Sequence, residues 1–230
     1  MNKRLEEIYQ QIIPGLGVID VGTDHGYLPA RLAQDGYAGR IFAADIKSGP
    51  LDAARRTARK AGVDDRIEFL LCDGLDGCPH DAVDTIVIAG MGGDTICGIL
   101  DRAEWCMTPD YRLILQPMTK AEVLRYWLIN NGYVITVEKL VKESGALYQV
   151  IVAEFSQNSR LSDAELFTGS YELLKDAPFF DECLALHCKR FQTGIEGLQR
   201  TVGVESTLRL RQEILKQLET MRGRLYDEGS

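Results

Sequence analysis

The sequence predicts an α/β fold: a doubly wound, mainly parallel sheet of about seven strands with helices on both faces, followed by a C-terminal helical hairpin. Three observations carry this. Short apolar runs alternate with helical patterns from residue 17 to residue 131. Two β-rich runs around Glu143-Ser-Gly-Ala146 follow, as an antiparallel pair at the end of the sheet. Beyond about residue 157 apolar residues recur at alternating spacings of four and three, a heptad seam. The expected domains are residues 1–157 and 158–230.

Each element has its own warrant. Lys3 to Ile12 is an amphipathic lead-in helix with Leu5, Ile8, Ile12 and Ile13 on one side. Val18-Ile-Asp-Val21 is a buried parallel strand, and Leu28, Leu32 and Ala33 then take up helical spacing. Arg40–Asp45 is the second strand. Ser48 and Pro50 open a helix that runs through Ala61 and closes on Gly62. Arg66–Leu71 is the third strand and Val83–Ala89 the fourth. Gly90-Met-Gly-Gly93 leads into a helix from Asp94. Tyr111–Leu115 is the fifth strand and ends at Gln116-Pro117. A helix from about Thr119 to Asn131 ends on Gly132 as its left-handed cap. Tyr133–Val141 and Leu147–Phe155 form the antiparallel pair. Gln157–Ser162 is a linker. Leu184, Cys188, Phe191, Ile195, Leu198 and Val202 make the seam, which breaks at Val202-Gly203. Leu210, Ile214, Leu218, Met221 and Leu225 make a second stripe, so the two helices form an antiparallel, coiled-coil-like hairpin.

The 230 residues suit one full α/β domain with an appendage, and 45% hydrophobic and 26% charged residues exclude a disordered chain. No apolar run is long enough to span a bilayer, and the N-terminus lacks the apolar core of a signal peptide. The expected location is the cytoplasm. The six cysteines form no Cys-x-x-Cys pair and read as reduced, mostly buried thiols; no metal site is expected. A net charge of −8 excludes a uniformly basic protein but leaves room for a local basic face.

The chemistry concentrates at strand ends, where the ligand crevice of such a sheet lies. The first strand carries Asp20 and runs into Gly22 and Gly26, spaced Gly-x-x-x-Gly rather than Gly-x-Gly-x-x-Gly. That spacing, with an acid inside the strand end, favours S-adenosylmethionine over a dinucleotide. Its ammonium suits a carboxylate and backbone carbonyls, and it has no pyrophosphate for a helix N-terminus. Asp45 lies 25 residues after Asp20, near the spacing of a ribose-binding acid. Asp73 ends the third strand, where it suits an adenine amine, although an Asp-Gly turn reads the same way. Asp24, His25 and Tyr27 cluster in the first turn, beside the expected methyl donor; a turn whose polar side chains bond its own backbone is the simpler alternative. Gly90 to Gly93 suit close backbone approach to a base or a sulfonium, or only a tight turn.

The run Asp20-Val-Gly-Thr-Asp-His-Gly-Tyr-Leu-Pro29 resembles the bacterial tRNA (adenine-22-N1)-methyltransferase family. So do Lys47-Ser-Gly-Pro50, Asp73-Gly-Leu75, Gly90-Met-Gly-Gly93, Gln116-Pro117 and Arg125-Tyr-Trp-Leu128, in the same order. The resemblance covers about residues 3 to 155. Gly26 stands where alanine is common in that family, and Met118 where the family usually reads Gln-Pro-Asn.

The resemblance implies a Rossmann-like class I methyltransferase acting on N1 of adenine 22 in tRNA. S-adenosylmethionine would be held by Asp20, Gly22, Thr23, Asp45, Ile46, Asp73, Gly74, Leu75, Gly90 and Met91, and catalysis carried by Asp24, His25 and Tyr27. A methyltransferase for a small molecule or a protein, or a non-catalytic RNA-binding scaffold with a vestigial site, remain open alternatives. The oligomeric state is open too. His80 and His187 read as structural or surface residues. Between Ala185 and Arg224 stand eight basic residues against four acids, which suits a tRNA-holding arm or a solvated helical face.

Overall fold

A computed structural model describes residues 1–156, 160–199 and 201–228. Gln157, Asn158 and Ser159 of the expected linker, and Arg200 of the basic count, lie outside the described residues. The chain divides into two compact units, Met1–Ser159 and Arg160–Ser230.

The first unit runs α1 (Lys3–Gln10), β1 (Gly17–Val21), α2 (Tyr27–Gln34), β2 (Arg40–Asp45), α3 (Ser48–Ala61), β3 (Ile67–Leu71), β4 (Thr85–Gly92), α4 (Gly93–Arg102), β5 (Arg112–Thr119), α5 (Ala121–Asn130), β6 (Tyr133–Glu143) and β7 (Ala146–Phe155). The seven strands form one sheet in the order β3-β2-β1-β4-β5-β7-β6. β1 to β5 pair in parallel, whereas β7 pairs antiparallel with both β5 and β6. The central strands are near-continuous β-branched runs because helices cover both faces: Val18, Ile19, Ile86, Val87, Ile88 and Ile114 are fully buried. After β3 the chain crosses back to β4 on the far side of β1. That reversal opens a crevice at the carboxyl ends of β1 and β4.

Most boundaries shift by one or two residues, α1 ending at Gln10 and β6 running on to Glu143, and two strand ends differ by more. The fourth strand does not stop at Ala89, nor the fifth at Leu115. Ala89 pairs with Gln116, Met91 with Pro117 and Gly92 with Thr119, with register shifts on either side of Met91. Pro117 has no N–H to give the ladder, so the pairing slips rather than ends. Gly90 absorbs the extra residue at φ +78°. The glycine run is therefore a bulged strand end, and α4 starts at once from Gly93.

The second unit holds α6 (Asp163–Thr168), α7 (Tyr171–Leu174), α8 (Phe180–Leu198) and α9 (Glu205–Glu228). A capping box between Ser162 and Glu165 starts α6. Asp181 pairs with Arg222, and Gly194 lies against Arg211, so α8 and α9 run antiparallel. The apolar seams hold only in part. Leu184, Cys188, Ile195, Ile214, Leu218 and Met221 are buried, but Val202 is 95% exposed and Leu210 53% exposed. α8 ends at Leu198, so Val202 leaves the helix. Gly194, whose missing side chain lies against Arg211, sits on the facing helix near this point.

One glycine fixes how the first helix leaves the sheet. Gly26 caps α2 at φ +66°, and a Cβ there would stand 2.7 Å from Ala54 Cβ and 2.9 Å from Ala54 Cα on α3. Gly26→Ala is expected to destabilise the fold by about 2–4 kcal/mol, from left-handed strain plus overpacking. Urea unfolding measures it; a loss under 1 kcal/mol means that α2 and α3 separate without cost.

Candidate functional site

Asp20 occupies the crevice because β1 ends there between two longer neighbours. It pairs in register with Ala43 of β2 and Val87 of β4, and it is only 6% exposed. Burial raises its carboxyl from the ordinary 3.8 to about 6; the nearby Thr23 hydroxyl opposes the rise and Asp45 adds to it. Thr23 does not complete the arrangement, since its Oγ1 is buried with no hydrogen-bond partner. A carboxylate and an orphan hydroxyl at one strand end await a polar ligand.

Two cavities open at this edge of the sheet, and Gly22 is in the wall of both. The first, about 520 Å³, is bounded by Asp20, Thr23, Gly90 and Gln116, with Asp24, His25 and Tyr27 at its rim. The second, about 360 Å³, is bounded by Asp45, Ile46, Asp73, Gly74, Met91 and Arg102. Gly22 has φ +75°, and a Cβ there would stand 2.3 Å from Met91 Cε. The thioether methyl of Met91 thus rests on the Gly22 backbone, where the two cavities meet.

In the wall of the second cavity, Asp45 accepts the Lys47 N–H through Oδ1 at 2.8 Å. Ile46 is exposed and offers an apolar face. Asp73 has a cationic partner that its own stretch of sequence does not announce: Arg102 donates to its Oδ1 at 3.1 Å and lies 3.5 Å from Asp76. Leu75 is buried and lies outside both cavity walls. Its side chain turns inward because the chain bends at Gly74, at φ +62°.

At the rim of the first cavity, Asp24 adopts φ +48°, a left-handed conformation uncommon outside glycine and often tied to function. Its Oδ2 lies 3.7 Å from His25 Nε2. The His25 ring stacks on Tyr27, centroids 5.5 Å apart. All three are largely solvent-exposed, so this turn presents its polar groups outward instead of spending them on its own backbone. His80 packs against Trp105 and borders neither cavity. Among the described residues, no group of three His, Cys, Asp or Glu side chains could hold a metal ion.

The sequence reading missed one wall. The lead-in helix is not only packing: Asn2, Arg4, Leu5 and Ile8 border the first cavity. Arg4 donates through its backbone N–H and Nε to Glu143, each at 3.2 Å, and lies 4.4 Å over the Tyr148 ring. Nη1 reaches Gln116 Oε1 at 3.4 Å and Met118 Sδ at 3.1 Å. Gln116 is 1% exposed and donates Nε2 to the Pro117 carbonyl. Met118 is thereby drawn into the Arg4 shell. No local signal links Arg4 to Glu143, 139 residues away.

A methyltransferase-domain family model matches residues 1–151. The tRNA (adenine(22)-N(1))-methyltransferase of Bacillus subtilis is 36% identical over 154 residues, 67% of this chain and 65% of that protein. The chain thus matches just under two thirds of that relative's length. The crystal structure of the B. subtilis m1A22 tRNA methyltransferase is similar at TM-score 0.79 and 28% identity, covering 99% of this chain and 97% of the other. A Streptococcus pneumoniae protein crystallised with S-adenosyl-L-methionine is similar at TM-score 0.82 and 27% identity, covering 96% of this chain and 99% of the other.

Asp20 carries a stability consequence with a definite sign. Its folded pKa lies above its unfolded one, so the folded state holds the extra proton and stability falls as pH rises from about 4 to about 6. At neutral pH the buried charge costs about 3 kcal/mol. Asp20→Asn is expected to raise the melting temperature at pH 7.5 and to lose that advantage at pH 4. Equal melting temperatures at pH 7.5 would show that the carboxylate is hydrated.

Proposed function

The chain belongs to the methyltransferase-domain family, with the bacterial tRNA (adenine-22-N1)-methyltransferases, and from that membership we propose that it methylates N1 of adenine 22 in tRNA with S-adenosylmethionine. The observation that carries this reading is the paired cavity about Gly22, with a buried carboxylate and an orphan hydroxyl on one side and Asp45 on the other. These residues fit the methyl donor. Asp20 and Thr23 suit its ammonium, Gly22 the close approach of its chain, and Asp45 its ribose hydroxyls, where charge-assisted bonds are worth about 1.5–3 kcal/mol each. Ile46, Asp73 and Gly74 frame the adenine. Asp73 can accept the adenine amine while it keeps Arg102. Met91 must swing off Gly22 for one ligand to cross between the cavities.

S-adenosylmethionine supplies a sulfonium-borne methyl group, displaced in line by the adenine N1 lone pair. Because that lone pair is free, no residue need remove a proton before attack. Methylation leaves the base cationic, and Asp24 at the rim stabilises the growing charge or accepts a proton from the exocyclic amine. Its strained backbone holds the carboxylate outward, toward the incoming base. N1 lies on the pairing edge, so the adenine must leave its stack, and Tyr27, backed by His25, offers a face to receive it. Arg4 holds Gln116 in the wall of the first cavity and contacts Met118 beyond it. The remaining rate comes from alignment of the two reactants.

A tRNA substrate fits work in the cytoplasm. No helix among the described residues is long and apolar enough to cross a membrane. The helical unit is a candidate tRNA arm, with fewer free cations than its sequence suggests. Arg222 is held by Asp181, and Arg224 lies 3.5 Å from Glu172. Lys189, Arg190, Arg209, Arg211 and Lys216 are left for phosphate.

Incubation with labelled S-adenosylmethionine and unmodified tRNA, then nucleoside mass analysis, tests the reaction. The expected product is 1-methyladenosine at position 22; label in protein or small molecules but not in tRNA would refute it. Asp24→Ala and Tyr27→Ala are each expected to keep cofactor affinity within a few-fold yet slow single-turnover methyl transfer by about 10²-fold or more. Near wild-type rates in both would move catalysis to the Gly90–Gly93 strand end and Gln116.

A further inference from the structure

The cations of the first unit are unevenly committed. Arg4, Arg31, Arg40, Arg59, Arg102, Arg112, Lys120 and Arg125 each sit in an ion pair with an acid. Lys3 and Lys139 stand singly on α1 and β6 without one, whereas Lys47, Arg55, Arg56 and Lys60 lack one as a group, among the described residues, and all four are exposed. They share one element. Lys47 precedes α3 and the other three lie on it, where Asp52 is the only acid. Arg66, just beyond, is exposed and, among the described residues, its side chain donates to the Tyr37 carbonyl.

Position makes this more than a solvated helical face. α3 starts three residues after Asp45, and Lys47 between them donates its backbone N–H to that cavity-wall carboxylate, so the strip begins beside the second cavity. The helix rises about 1.5 Å per residue, which carries the stripe roughly 20 Å from Lys47 to Lys60. Arg56 and Lys60 are one turn apart on the same side. Arg55 lies 4.5 Å over the Phe69 ring of β3, which orients its guanidinium along the edge of the sheet. Residues 47–66 carry six basic residues against three acids, whereas the rest of residues 1–159 carries ten against nineteen. An anionic polymer approaching this unit meets one favourable strip, and the strip leads to the site.

We propose that α3 is a docking surface for the phosphate backbone of the tRNA, next to the cofactor cavity. This rests on the reading of tRNA as substrate. The partner is RNA because the strip is a line of exposed point and fork charges without acid partners among the described residues, which suits phosphates spaced along a strand.

The test is Arg56→Gln with Lys60→Gln in the full chain; glutamine keeps helix propensity at exposed positions. Fluorescence anisotropy would measure tRNA affinity across a salt series, and calorimetry would measure S-adenosylmethionine affinity. The double variant is expected to bind tRNA roughly tenfold more weakly, with a log-affinity against log-salt slope shallower by about 2. Cofactor affinity is expected to stay unchanged. Lys139→Gln, an exposed charge on β6, is expected to alter neither. If the wild type binds tRNA and the double variant matches it in affinity and slope, the strip is not the dock although the substrate reading stands. If the wild type binds no tRNA, both fall. A parallel loss of cofactor affinity would overturn a phosphate-only role.

Discussion

Everything at the ligand edge of the sheet depends on one unfavourable burial, the Asp20 carboxylate between β2 and β4. Its raised pKa, about 6, measures how poorly the strand end solvates a charge there. At neutral pH the fold carries that ionised group against the inclination of its surroundings, and the hydroxyl beside it finds no partner of its own. A cation bound there reverses both terms at once: it satisfies the carboxylate and shares the polar space with Thr23. Sites that keep such strain are where stability has been traded for binding.

The remaining features extend from that point. Gly22 follows Asp20 by two residues, and its missing side chain lets the two cavities share a wall. Met91 covers that wall from β4. The bulge that brings Met91 there arises because Pro117 interrupts the β4–β5 ladder. The same bulge leaves Gln116 facing the first cavity, where Arg4 tethers it to α1 and to Glu143 at the end of β6. Four distant stretches of chain thus meet at one strand end, each for a local reason.

The sheet was largely legible because parallel strands announce themselves as apolar runs between glycine turns. The bounds of β2 and α3 agree residue for residue, and the order of elements in the first unit is as read. What escaped was whatever depends on a partner far along the chain. The slip at Gly90 reflects Pro117 on the neighbouring strand, so β4 alone looked finished at Ala89. Arg4 looked like the wet side of an amphipathic helix, and only Glu143 gives it a role. Asp73 looked free because Arg102 lies 29 residues away. In the helical unit, heptad spacing found the buried seam from Leu184 to Ile195. It could not foresee that Leu210 would stay half exposed.

The most direct test concerns the protonation of that strand end. A cation docked against Asp20 must lower its pKa, and Asp45, Asp24, His25 and Arg4, the charged or titratable groups nearby, stay in place as it does so. Calorimetric titration with S-adenosylmethionine at pH 6, repeated in buffers of different ionisation enthalpy, is predicted to show release of about half a proton per molecule bound. The release should vanish at pH 8, where Asp20 is already charged. Binding at pH 6 with no proton exchange, or with proton uptake, would contradict a buried carboxylate as the centre of the site.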